Sequence, residues 1–160
     1  MLPDNAVAEA CRALEAQGGQ PDRLRQAFAL ACVERVAHLL EDPAVAQCLD
    51  VLRAYERGEA SRATLDEAST RAAALANAHP GSRSIDGVGH AAVSASYAVA
   101  SALAGRAQQA ADYAAYAAVY AGGGYGAVAD RASFAPERDW QLAELARLAA
   151  VLASATTMPR

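Results

Sequence analysis

From Gly87 to Gly105 the chain runs nineteen residues without Asp, Glu or Arg, through mostly Ala, Val, Ser and Gly. Beyond Arg106, the polar Gln108, Gln109 and Asp112 lead into Tyr113, Tyr116, Ala117 and Tyr120, spaced i, i+3, i+4, i+7. That spacing lines one face of a 3.6-residue helix. Gly105 separates the halves; a residue without Cβ reaches φ > 0 freely, so it reads as a helix stop. Two helices folded back on each other are predicted, the first thin and charge-free, the second striped with tyrosine. A helix so poor in charge has few faces to leave in water, so the other helices are expected to pack around it.

The flanking pattern is helical throughout. Residues 3–17 read as a first helix with Pro3 in its first turn and Gly18-Gly19 after its end. Its apolar content is small residues plus Val7 and Leu14, which predicts loose docking. Leu24, Phe28, Ala31, Cys32, Val36 and Leu39 form a core stripe over a second helix, 21–41. Asp42-Pro43 breaks that helix and caps a third, which carries Val45, Cys48, Leu49, Leu52 and Tyr55 and ends at Gly58. Thr64 with Glu67 three residues on reads as a capping box ahead of Ala68, Ala72, Leu75 and Ala76. His79-Pro80-Gly81-Ser82 is a loop signal, and the glycine-rich run 122–126 reads as a flexible linker. A last helix starts between Ser133 and Pro136, carries Leu142, Leu145, Leu148 and Leu152, and should bury Trp140. The expected fold is all-α: one domain over 1–160, six or seven helices in antiparallel hairpins, with a peripheral segment 1–20 and a frayed tail 154–160.

Composition supports this reading. More than a quarter of the 160 residues are Ala, while Ile occurs once and Phe twice, a balance that favours helix over strand. Every basic residue is Arg, so lysine Schiff-base chemistry and a Walker-type phosphate lysine are excluded. A net charge of −4 argues against general nucleic-acid binding. Cys11, Cys32 and Cys48 form no CxxC pair and read as buried free thiols of a reducing cytoplasm. No basic, apolar leader precedes the first helix, and the uncharged run after Gly87 owes its apolarity to Ala, so neither a signal peptide nor a membrane span is expected.

No catalytic constellation is visible. His38, His79 and His90 are scattered, with no carboxylate at ligand spacing, so neither a metal nor another cofactor is expected. Ser94, Ser96 and Ser101 lack a nucleophile elbow and should bond back to their own helix carbonyls. Glu34-Arg35 reads as a solvated edge, with Arg35 a candidate for a partly buried clamp. His90 could face Tyr113 or Tyr116 across the hairpin; the three then line either core or a small-molecule pocket between the central helices.

Several segments in collinear order resemble a bacterial family of immunity proteins from polymorphic-toxin systems. They are Ala31-Cys32-Val33-Glu34-Arg35-Val36, Glu41-Asp42-Pro43 and Tyr55-Glu56-Arg57-Gly58-Glu59. After them come the Ala-rich helix following Thr64, Gly89-His90-Ala91-Ala92, Tyr113-Ala114-Ala115-Tyr116-Ala117 and Glu137-Arg138-Asp139-Trp140-Gln141-Leu142. The resemblance covers about residues 24–145. Members often carry a second histidine a turn or so into the central helix, where this chain has Ser96-Tyr97. The resemblance implies an all-helical, non-enzymatic cytoplasmic protein that binds and blocks a toxin domain.

Charge distribution suggests where such a partner would dock. Residues 41–67 hold seven acids and three arginines, a net of −4 that equals the charge of the whole protein. A negative field focused there would meet a basic partner. Glu56, Glu59, Asp66 and Glu67 are the candidate contacts, with Tyr55 as an aromatic anchor.

Overall fold

The computed structural model describes residues 5–81 and 84–157, which form seven α-helices and, among the described residues, no strand. They are α1 (Asn5–Gln17), α2 (Pro21–Val36), α3 (Pro43–Glu56), α4 (Arg62–Asn77), α5 (His90–Leu103), α6 (Ala107–Ala129) and α7 (Ala135–Thr157). Short 3₁₀ turns, Ala37–Leu39 and Arg131–Phe134, follow α2 and precede α7. Buried side chains from every helix join one core, among them Val7, Phe28, Leu49, Leu65, Val99, Ala111 and Leu145. Pro3 and Ser82 lie outside the described residues. Among the described residues no helix is long and apolar enough to cross a membrane.

The charge-free helix α5 is the hub. It packs against α2, α3, α4 and, most extensively, α6. Between Ala91 and Leu103 only Val93 and Tyr97 are not buried. Its partner α6 answers with Ala110, Ala111, Ala114 and Ala117, all buried. Small side chains on both helices let the backbones approach closely, which offsets how little apolar area each alanine buries. Gly105 turns the hairpin at φ 77°, as its position between the two patterns predicts. Ser96 Oγ donates to the Ala92 carbonyl at 3.0 Å, so this serine's hydroxyl is satisfied within its own helix.

Helix α7 adds buried polar ties to its apolar packing through Leu145, Leu142 and Leu148. The Arg138 guanidinium donates to Asp112 Oδ1 of α6 at 2.7 Å and to Gln141 Oε1 at 2.8 Å. Gln141 Nε2 in turn donates to the Ala111 carbonyl at 2.8 Å. Arg138 is 8% and Gln141 1% exposed. On the neighbouring face Arg35 of α2 pairs with Glu137 at 2.7 Å while its guanidinium carbon sits 4.5 Å from the Trp140 ring centroid. Arg35, an exposed residue, thus joins α2 to α7 by an ion pair and a cation–π contact rather than as a partly buried clamp. Trp140 packs against the core with partial exposure, and its face toward Arg35 is covered by the guanidinium.

Several boundaries differ from the sequence pattern. α2 stops at Val36 rather than near 41: the chain is extended at Leu40 and Asp42, as a residue before proline favours, and a 3₁₀ turn tightens the helix end. Asp42 does cap α3, accepting the Ala44 N–H at 2.9 Å. The cap of α4 is Ser61 rather than Thr64; its hydroxyl accepts the Thr64 N–H at 3.1 Å and so starts the helix one turn earlier. α1 docks through Val7, which is completely buried, with Ala10, Cys11 and Leu14 partly buried against the core. α7 stays helical past Ser154 to Thr157.

Two expectations follow. Ala95, fully buried in the centre of α5, should tolerate no bulk: Ala95→Leu is expected to cost about 1–3 kcal/mol in chemical denaturation. Arg138→Met leaves Asp112 buried without its cation and should cost roughly 3–5 kcal/mol. Adding Asp112→Leu to that variant should recover most of the loss, since the pair is then replaced by apolar volume.

Candidate partner-binding surface

The corner between α3 and α4 is built by its own turn chemistry. Gly58 adopts φ 76°, a left-handed conformation that frees the chain to reverse after α3. The Gly58 N–H donates to the Tyr55 carbonyl at 3.0 Å and the Glu59 N–H to the Ala54 carbonyl at 2.8 Å. Ser61 then caps α4. The result sets Tyr55 and Glu56 at the end of one helix, Glu59 in the turn, and Asp66 and Glu67 near the start of the next.

Local arginines temper the charge of this corner. Arg57 pairs with Glu59 at 2.9 Å and Arg62 with Asp66 at 3.1 Å. Glu56 accepts a hydrogen bond from Gln26 of α2. The Tyr55 side chain and the Asp66 carboxylate both act on Arg62, raising its already high pKa. Glu67 is exposed and has no polar partner among the described residues. Pairs this exposed contribute little to stability and exchange readily for a new partner's charges.

The aromatic residues do not gather into the grouping of His90 with Tyr113 and Tyr116. His90 lies against Tyr120 and Tyr125, with ring centroids 5.3 and 5.4 Å away. Its Nε2 is 2.7 Å from the Tyr125 hydroxyl. Tyr113 stacks on Tyr97 at 5.3 Å, and Tyr116 meets Phe134 edge-on at 5.1 Å. The Tyr97 hydroxyl donates to Asn77 at 3.0 Å, so the aromatic stripe ties α4, α5, α6 and the turn before α7 together.

The glycine-rich run is not a linker. α6 continues through it with a single break at buried Gly124 (φ 62°, ψ −147°). There the Tyr125 N–H donates to the Asp86 carbonyl at 2.7 Å. A Cβ on Gly124 would stand 1.9 Å from that carbonyl oxygen, and one on Gly87 2.8 Å from the Tyr125 ring. These glycines therefore let the loop before α5 lie directly on the broken helix. Only the presence of five consecutive flexible residues was readable from sequence; that they serve a close approach was not.

Among the described residues no three His, Cys, Asp or Glu side chains are grouped as a metal ion would need. Burial pushes the Cys11 thiol up to about 12, helped by its bond to Glu15, and burial likewise raises Cys32 and Cys48. Thiols shifted upward stay protonated and unreactive at neutral pH. His79 is a loop staple whose Nδ1 accepts the Gly81 N–H at 3.1 Å.

The model of a family described as Imm-5 like putative immunity protein matches residues 19–148, most of the chain. No curated protein and no solved structure matches it.

Gly124→Ala should destabilise by on the order of 2 kcal/mol or more, although alanine is the better helix former, because the added Cβ meets a backbone oxygen and the left-handed φ is strained. Thermal denaturation and faster amide exchange at Tyr125 would register the loss; a higher melting temperature would show the break to be dispensable.

Proposed function

The chain belongs to the Imm-5 like putative immunity protein family, and from that premise we propose that it neutralises the toxin domain of a bacterial polymorphic-toxin system by binding it in the cytoplasm. Membership implies a protein partner, and an immunity protein acts by occupying that partner rather than by turning over a substrate. The observation that carries the reading is the extent of the match, from just before α2 to well within α7.

The docking surface in this reading is the α3–α4 corner. Residues 41–67 account for the entire net charge of the protein. Glu59, Asp66 and Glu67 are exposed, the first two paired only with exposed arginines, while half-buried Glu56 is bonded to Gln26. A toxin with a basic face would be steered toward it, which speeds association more than it deepens affinity. Half-buried Tyr55, beside Arg62, supplies an aromatic anchor at the edge of the acidic surface.

The test is charge reversal at the corner, Glu56→Arg, Glu59→Arg, Asp66→Arg and Glu67→Arg together, measured by stopped-flow against the toxin encoded beside the gene. Association should slow by roughly tenfold or more at low salt, with the difference shrinking as salt rises and helical circular dichroism unchanged. Equal association rates across the salt series would remove the corner from the interface. No complex with any neighbouring toxin domain would remove the toxin reading itself.

A further inference from the structure

The loop before α5 carries the most exposed large apolar side chain among the described residues. Ile85, the one isoleucine of the sequence, is 99% exposed. Val88 of the same turn is 37% exposed, and Tyr125, whose ring lies against Gly87, is 50% exposed. Single surface hydrophobics are ordinary, whereas three grouped about one turn make a patch. Across residues 84–90 and 120–126 the one acidic or basic side chain, histidine aside, is Asp86.

The loop is held in shape by its own polar groups. The Asp86 carbonyl accepts the Tyr125 N–H at 2.7 Å, and its carboxylate accepts the Val88 N–H at 3.1 Å. Ser84 Oγ accepts the Gly89 N–H at 2.9 Å, and the Gly87 carbonyl accepts the His90 N–H at 3.0 Å. The Tyr125 hydroxyl lies 2.7 Å from His90 Nε2, which orients that ring as well. None of these bonds needs an apolar side chain at Ile85. A side chain that adds nothing to the fold, on a backbone already ordered, loses little entropy when a partner covers it.

Shape, area and charge narrow what would cover it. A side chain standing clear of its loop fits a concave apolar site rather than another convex surface. The three side chains together offer on the order of 400 Å2, a usual size for the largest patch on a monomer. Two copies of the patch pressed together would bury about 800 Å2, short of the roughly 1,200 Å2 of a stable interface. A second copy of this chain is therefore a poor fit. A membrane surface is poorer still, since anionic lipid attracts basic side chains and the turn presents Asp86.

We propose that Ile85 is an apolar anchor for the toxin domain, entering a hydrophobic pocket of that partner while Val88 and Tyr125 cover the rim. The inference rests on the immunity reading above and adds a surface which that reading does not contain. The Ile85 loop leads into α5 at His90, whereas Leu65, at the start of α4, shares a cleft with Leu103 at the other end of α5. The 14 residues of α5 put about 20 Å between this loop and the acidic corner. The two surfaces contribute separably: charges at the corner speed association, and a buried apolar anchor slows dissociation.

The experiment is surface plasmon resonance of the full chain on the immobilised toxin domain encoded beside the gene. Ile85→Ala and Ile85→Asp should each raise the dissociation rate about tenfold or more, with association changed less than about twofold at any salt. Ile85→Leu, which keeps the volume, should bind nearly as tightly as the unaltered protein. Val151→Ala, at an exposed valine of α7, should leave both rates unchanged. Melting temperatures of the Ile85 variants should match that of the unaltered protein, because so exposed a side chain packs against little. A folded Ile85→Asp protein that dissociates at the original rate overturns the anchor and leaves the toxin reading standing. Absence of any complex with the unaltered protein overturns the toxin reading, and the anchor with it. A concentration-dependent dimer in analytical ultracentrifugation, abolished by Ile85→Asp, would assign the patch to a second copy. Co-sedimentation with phosphatidylcholine–phosphatidylserine vesicles, abolished by the same variant, would assign it to a membrane. Either result overturns the proposal.

Discussion

A helix that carries no charge must be covered on nearly every side, and α5 is such a helix. Its alanines and serines bury little area apiece, so close approach has to compensate, and α2, α3, α4 and α6 all converge on it. The consequence reaches outward. Helices committed to that centre turn their polar faces away from it, and the arginines and carboxylates of α1–α4 end on the surface. The acidic corner is a product of this arrangement.

The outer layer is secured differently. α7 packs Leu145 into the core with Trp140, Leu142, Leu148 and Leu152 against it, and directed polar bonds add to that packing. Arg138 reaches α6, Gln141 caps an α6 carbonyl, and Glu137 with Trp140 brackets Arg35 of α2. A buried polar network of this kind is directional where alanine surfaces are not, so it can select one register of α7 from several that would bury similar area. Burial keeps the cysteines protonated.

Sequence periodicity was sufficient for the helices because apolar positions recur at three- and four-residue steps and the stops are chemically distinct. Gly58, Gly105 and Asp42-Pro43 each act through local backbone sterics or a local cap, which a neighbour cannot easily override. Where two local signals compete, sequence alone misjudges the boundary. Ser61 and Thr64 are both competent caps, and only the position of the turn after Gly58 selects the first. The acidic corner was legible for a similar reason, since its members lie within one hairpin.

What joins residues far apart in the chain was decided by the fold. His90 and Tyr125 are 35 residues apart, Arg35 and Glu137 are 102 apart, and no spacing rule relates either pair. Gly124 reads as linker by composition, yet it is buried and essential to the contact with Asp86, because its missing Cβ matters only once the other strand of chain lies against it. Local stereochemistry and period settled which residues are helical. Which side chains share a surface depended on how close alanine faces could pack, and that is a property of the assembled helices.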